Sequence, residues 1–111
     1  MSRTNPPDSG IEGEIILRPI SPVERPGMVN SRPYQATVTV LDANGQTVTQ
    51  FQSDVKGHFQ INLPPGTYTL RPESPSSHPF ARQQTVTVSE KVFTRVLIAY
   101  DSGIRGLGLQ H

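Results

Sequence analysis

The sequence predicts an all-β protein, a seven-stranded antiparallel β-sandwich, on three observations. Apolar and polar residues alternate in short runs, turn-forming clusters recur about every eight to twelve residues, and no segment sustains a helical period. The clearest stretch is residues 57–70, GHFQINLPPGTYTL. Phe59, Ile61 and Leu63 alternate with His58, Gln60 and Asn62, and Tyr68 and Leu70 repeat the pattern between Thr67, Thr69 and Arg71. Between them Pro64-Pro65-Gly66 forces a reversal, because proline presets φ for a turn and glycine tolerates the values that follow.

The other elements follow in chain order. Residues 1–10 hold Pro6, Pro7, Asp8, Ser9 and Gly10 with no apolar residue after Met1, so a disordered tail is expected there. A single domain is expected over residues 11–102, its first strand beginning near Gly13, turning Ile15 and Leu17 to one face and stopping at Pro19. Residues 20–33 form the longest loop, punctuated by Pro22, Pro26, Gly27, Asn30 and Pro33. In residues 35–42, Ala36, Val38 and Val40 share a face, and Asn44-Gly45 is a strong hairpin signal leading into an arm over 47–53. Lys56-Gly57 makes the next reversal, and residues 72–79 are a second polar loop rich in Ser and Pro. Residues 84–89 and 92–100 are separated only by Glu90 and Lys91, which reads as a final hairpin. Gly103, Gly106 and Gly108 mark residues 103–111 as a flexible tail.

Composition narrows the function. A chain of 111 residues is about one domain, long enough for a modest core without metal or disulfide staples. Ten basic and nine acidic residues leave a formal charge of +1, and the arginines are scattered from Arg3 to Arg105, so no nucleic-acid partner is expected. The longest apolar run near a strand, residues 96–100, is far short of a membrane span, so no direct membrane insertion is expected. The N-terminus has no apolar stretch of the kind a signal peptide carries. With no cysteine, the chain has no disulfide, no Fe–S ligation and no thiol nucleophile.

The order of strand, Asn-Gly turn, Asp-x-x-Gly-x-Phe and Leu-Pro-Pro-Gly-x-Tyr-x-Leu resembles the carboxypeptidase regulatory-like domains of the transthyretin-like (prealbumin-like) sandwich superfamily, related to collagen-adhesin B-type domains. Asp54, Gly57, Phe59, Leu63, Pro64, Pro65, Gly66, Tyr68 and Leu70 carry the likeness, and the strand GIEGEIILRPISP and the ending IAYDSGIR extend it over residues 10–105. The resemblance implies a bacterial protein, extracellular or in the cell envelope, with a cytoplasmic location as the alternative. It also implies loop cysteines, where this chain has Ser21 and Ser31.

Relatives of the adhesin type join a Lys of the first strand to an Asn or Asp of the last beside a buried acid. Here the resemblance places Glu73 near the acid and Asp101 at the last strand, but Arg18 stands where the Lys belongs. A guanidinium is always charged and cannot be the nucleophile, and Lys56 and Lys91 fall in turns, so no isopeptide bond is expected. Hydrolases of the fold end in Tyr-Arg-Gly-Ser, whereas this chain reads Tyr100-Asp101-Ser102-Gly103. His58, His78 and His111 lack ligand spacing, so no metal is expected. Asp42-Ala43-Asn44-Gly45 opens like a calcium loop but reaches Ser53 where a bidentate Glu is needed, and a hairpin turn explains it better. Arg25, Arg32, Arg71 and Arg82 offer an anion-facing rim, set against a charge-balanced surface with Glu24 and Glu73 beside two of them.

The expectation is therefore a noncatalytic accessory or interaction domain, not an enzyme, with no catalytic, cofactor or metal residues and no cofactor. Its loops at 20–33 and 72–82 would face an unknown protein or glycan partner. The alternative is a small-ligand or carbohydrate-binding module, and a hydrolase ranks below both. Without Trp, only Tyr34 and Phe80 lie in or beside the loops to stack on a sugar. A monomer is expected, with edge-strand dimerisation through the weakly charged residues 84–89 as the alternative.

Overall fold

The computed structural model describes residues 9–20, 30–75 and 78–103. Among these described residues eight strands occur: β1 (Gly10–Arg18), β2 (Arg32–Pro33), β3 (Thr37–Leu41), β4 (Thr47–Gln52), β5 (His58–Asn62), β6 (Gly66–Pro72), β7 (Gln84–Val88) and β8 (Phe93–Asp101). They form two four-stranded sheets. In the first, β1 is central: β8 runs parallel along one side, while β5 and β2 pair antiparallel with its N-terminal and C-terminal halves on the other. The second sheet is antiparallel in the order β4-β3-β6-β7.

The alternation seen in sequence is what fills the space between the sheets. Ile11, Ile15, Leu17, Phe59, Leu63, Val96, Ile98 and Tyr100 descend from the first sheet and meet Val38, Val40, Phe51, Tyr68, Leu70, Val86 and Val88 from the second. Phe51 and Phe59 make the contact across the layers, their ring centroids 4.8 Å apart. Each fully buried aliphatic or aromatic side chain contributes about 1.5–3 kcal/mol relative to exposure, so this layer is the main stabilising term.

Three expectations need correction. The body of the fold starts earlier than Gly13: β1 begins at Gly10, and Ser9 is buried, its hydroxyl donating to the Leu63 carbonyl at 2.7 Å. Residues 1–8 and 104–111, the rest of the two expected tails, lie outside the described residues, as does most of the first loop. An eighth strand, β2, is added inside that loop, where Arg32 and Pro33 pair with Leu17 and Ile16. The expected Asn44-Gly45 hairpin is present between β3 and β4, with Gly45 at φ +82°. The turn is therefore a type I reversal closed by a left-handed glycine.

The third correction concerns pairing. Residues 84–88 and 93–101 do not form a hairpin: β7 pairs with β6 in one sheet and β8 with β1 in the other. Glu90 and Lys91 make a turn, with Lys91 at φ 64°, that carries the chain between layers. Pro64-Pro65 does the same between β5 and β6, anchored by the Tyr68 hydroxyl on the Pro64 carbonyl at 2.7 Å.

Candidate functional site

The sheets are braced at the end where β1 and β8 finish. Tyr100 is the last inward residue of β8 and fully buried; its hydroxyl donates to the Glu73 carbonyl at 2.6 Å and its ring lies 4.9 Å from that of Tyr34. Burial pushes the phenol up to about 12, with smaller contributions from Tyr34 and Glu73, so it stays neutral and keeps donating. Tyr34 is held in turn by its N–H on the Ile15 carbonyl at 2.9 Å and by the Ser53 hydroxyl on its own carbonyl at 2.9 Å. Ser53 also accepts the Ala36 N–H at 3.0 Å.

On the outer face of the second sheet, the Glu73 carboxylate accepts from Thr39 Oγ1 at 2.7 Å and from Arg71 Nε at 3.2 Å. The Thr39 bond first, and the Arg71 guanidinium after it, hold this carboxyl below its ordinary range. Gln50 Nε2 completes the row by donating to Thr39 Oγ1 at 2.9 Å. A neutral phenol and an ionised carboxylate thus sit on one residue pair, yet Tyr100 bonds the Glu73 carbonyl rather than its side chain. The arrangement pins the start of the 72–82 loop to the sandwich.

Residues singled out by sequence distribute as follows. Arg18 stands opposite Asp101 in the β1–β8 register, both exposed, while Glu73 spends its carboxylate on Thr39 and Arg71. On the buried face of that register the neighbouring pairs are apolar, Leu17 opposite Tyr100 and Ile15 opposite Ile98. His58 and His78 are exposed and His111 is outside the described residues; among the described residues no three His, Asp or Glu groups converge as metal ligands. Asp42 uses Oδ1 to accept the Asn44 and Gln46 N–H groups at 2.8 and 3.0 Å, the work of a turn. Arg32 is on β2, Arg71 is turned onto Glu73, and Arg82 lies in the segment before β7; Arg25 and Glu24 are outside the described residues.

Sequence reasoning missed the long edge of β8. Val92 accepts from the Gly10 N–H and the Ser102 N–H donates to Arg18, so even-numbered residues of this strand point their backbone at β1 and odd-numbered ones point away. On the outward side Asp101 exchanges both bonds with Phe80, at 3.0 and 2.7 Å. The chain then leaves the edge toward the other sheet. Two side-chain bonds span the seam: Gln84 Nε2 reaches the Leu97 carbonyl at 3.2 Å and Thr94 Oγ1 the Thr87 carbonyl at 2.8 Å. The edge of β7, considered above as the alternative route to a dimer, carries these two contacts. Beside it lies a groove of about 510 Å³ lined by Phe80, Ala81, Arg82, Gln84, Ile98 and Asp101. Phe80 in its lining is 49% exposed, and Leu97, whose carbonyl the lining residue Gln84 reaches, is 54% exposed. The sequence signal was Leu97 itself, an apolar residue on the polar face of its strand.

Two solved structures share this architecture. The Bacillus anthracis TIE protein is 19% identical over 85% of this chain, with a TM-score of 0.57, the match covering 17% of that chain. GBS52, the minor pilin of Streptococcus agalactiae, is 15% identical over 96% of this chain, with a TM-score of 0.63, the match covering 50% of that chain. The chain therefore spans half or less of either protein, and at these identities the likeness is one of fold. No curated protein matches the chain. Residues 30–100 match the carboxypeptidase regulatory-like domain, a span that contains both Asp-x-x-Gly turns and the Pro-Pro-Gly crossover in a transthyretin-like sandwich, and the chain belongs to that family.

Proposed function

We propose that this chain is a noncatalytic accessory and interaction domain of a bacterial envelope or secreted protein, and that it meets its partner along the side where residues 78–84 approach β8. The observation that carries the reading is the groove lined by half-exposed Phe80, with half-exposed Leu97 on the strand that forms one wall; Ile20, Val48, Val55 and Val92 are also exposed, but none of them lines it. The family is a regulatory-like domain, and a minor pilin and the TIE protein share its fold, which favours a surface setting. Among the described residues no helix is long and apolar enough to cross a membrane.

The test is crosslinking capture from the envelope fraction of the source bacterium, with wild type, a Phe80→Ala/Arg82→Ala variant, and a Val55→Ala/Lys56→Ala control at the remote β4–β5 turn. Loss of the same partner only in the first variant is expected; equal capture by all three would sink the reading. The carbohydrate alternative wants an exposed aromatic platform, yet Tyr34 is packed on Tyr100. A glycan-array hit abolished by Phe80→Ala would favour it.

A further inference from the structure

β8 offers something the other edges do not, a strand-pairing row that has been started and then abandoned. Phe80 makes a two-bond bridge with Asp101, and one residue pair later the chain departs. By the alternation of the strand, the next outward groups are the Ala99 N–H and C=O and the Leu97 N–H, none with a partner among the described residues. The Leu97 carbonyl is met by the side-chain amide of Gln84, which supplies a donor where the N–H of a neighbouring strand would stand. An unpaired edge of this kind is a template for another strand.

We propose that this edge and its groove receive an extended segment of a partner protein, an alternating apolar strand carrying one carboxylate, which joins the first sheet next to β8. This rests on the interaction-domain reading and specifies the partner. Main-chain bonds to Leu97 and Ala99 supply the affinity, and side chains of alternate residues are read on the two faces. Those directed inward enter the groove over the buried Ala81 and Ile98; those directed outward cover Leu97 and Phe80. Arg82 lines the groove without an ion pair among the described residues, which is why the occupant carries a carboxylate. The same charge argues against a second copy of this chain. Its other edge strands, β2 (RP), β4 (TVTQFQ), β5 (HFQIN) and β7 (QTVTV), contain no acidic residue, and Asp101 of β8 has its backbone on Phe80 and its carboxylate on the Gly103 N–H.

The experiment uses the full chain, ¹⁵N-labelled, titrated with an N-acetylated, C-amidated octapeptide of alternating Val and Thr with one terminal Glu. Saturable amide shifts confined to residues 80–84 and 93–99 are expected, with hydrogen exchange at Leu97 and Ala99 slowed at least about tenfold. A proline at the centre of the peptide abolishes these changes by removing a donor, and exchanging Glu for Arg weakens binding several-fold. Arg82→Glu reverses that charge preference, and Gln84→Ala, which frees the Leu97 carbonyl, tightens binding. Absence of saturable shifts, shifts centred on residues 47–52, or equal binding by the proline peptide overturns the proposal. So does a concentration-dependent dimer that protects Leu97 and Ala99 with no peptide present. Should the peptide fail while Phe80→Ala/Arg82→Ala still loses the captured partner, strand addition falls and the interaction domain stands. If the peptide binds but capture is unchanged, the interaction reading falls, and with it the proposal that a partner's strand occupies this edge.

Discussion

Two turns of this protein are built alike and lead to different places. In residues 42–46, Asp42 Oδ1 accepts the Asn44 and Gln46 N–H groups, Gly45 donates to the Asp42 carbonyl, and Asp42 N–H donates to the Gln46 carbonyl. Residues 54–58 repeat every bond: Asp54 Oδ1 accepts from Lys56 and His58, Gly57 donates to Asp54, and Asp54 donates to His58. The glycines sit at φ +82° and +79°. Yet the first turn joins β3 to β4 within one sheet, whereas the second carries the chain from β4 to β5 in the opposite layer. What differs is the surroundings. Nothing lies within 4 Å of a methyl placed on Gly45, while one on Gly57 would overlap the Ile15 carbonyl oxygen and lie 3.3 Å from Pro33. Just before the second turn, Ser53 stitches the chain to Tyr34 and Ala36. A five-residue turn sets the reversal, and packing decides the sheet in which the chain resumes.

The largest test of this contrast is Gly57→Ala. Left-handed strain adds to a collision with rigid backbone, and about 3 kcal/mol or more of stability is expected to go, read as a lower urea midpoint. Gly45→Ala carries the strain alone and should cost about 1–2 kcal/mol in the same assay. Equal costs at the two glycines would break the comparison. Ser53→Ala comes next, at about 2 kcal/mol, because it leaves the buried Ala36 N–H without its acceptor and the Tyr34 carbonyl without its donor.

A pH series, read with and without Asp54, probes the second turn. Its backbone bonds, that from His58 first, hold the Asp54 carboxyl below its ordinary value, and Glu73 is lowered similarly by Thr39. A carboxylate lowered in the folded state contributes stability that is present above its unfolded value and lost as pH falls through the folded one. Stability should therefore decline as pH drops below the ordinary carboxylate range, and Asp54→Ala should make that decline shallower. The smallest effect is expected from exchanging the turn sequences. Ala43→Val/Asn44→Lys/Gln46→His and its converse, Val55→Ala/Lys56→Asn/His58→Gln, should each change stability by no more than about 0.5 kcal/mol. A larger change in either would mean that turn sequence, and not only packing, selects the sheet.

The same division runs through the rest of the molecule. Alternation at Ala36, Val38 and Val40, at Phe59 and Leu63, and at Tyr68 and Leu70 was legible, because a strand with one wet face needs that period whichever neighbour it pairs with. The pairing of β8 was not. Glu90-Lys91 has the length of a hairpin turn, but nothing in residues 84–100 says that the partner is β1, some eighty residues earlier and parallel. Gly13 was equally silent: a methyl there would overlap the Val96 carbonyl oxygen, a constraint made by a strand far away in sequence. The groove went unseen for the same reason, since it exists only because residues 80–84 leave an edge that β8 owes to its partner.

By itself, then, the sequence determined where strands run, which face of each is apolar, where the chain must reverse, and the family to which those marks belong. These are properties of neighbouring residues, set by φ, ψ and the period of side chains along a strand. Only the tertiary structure decided the sheet each strand joins, the parallel seam of β1 with β8, the seating of Ser9, and the open edge with its groove. Each of those depends on which distant backbone groups satisfy one another, a choice made when the two layers close on a common core.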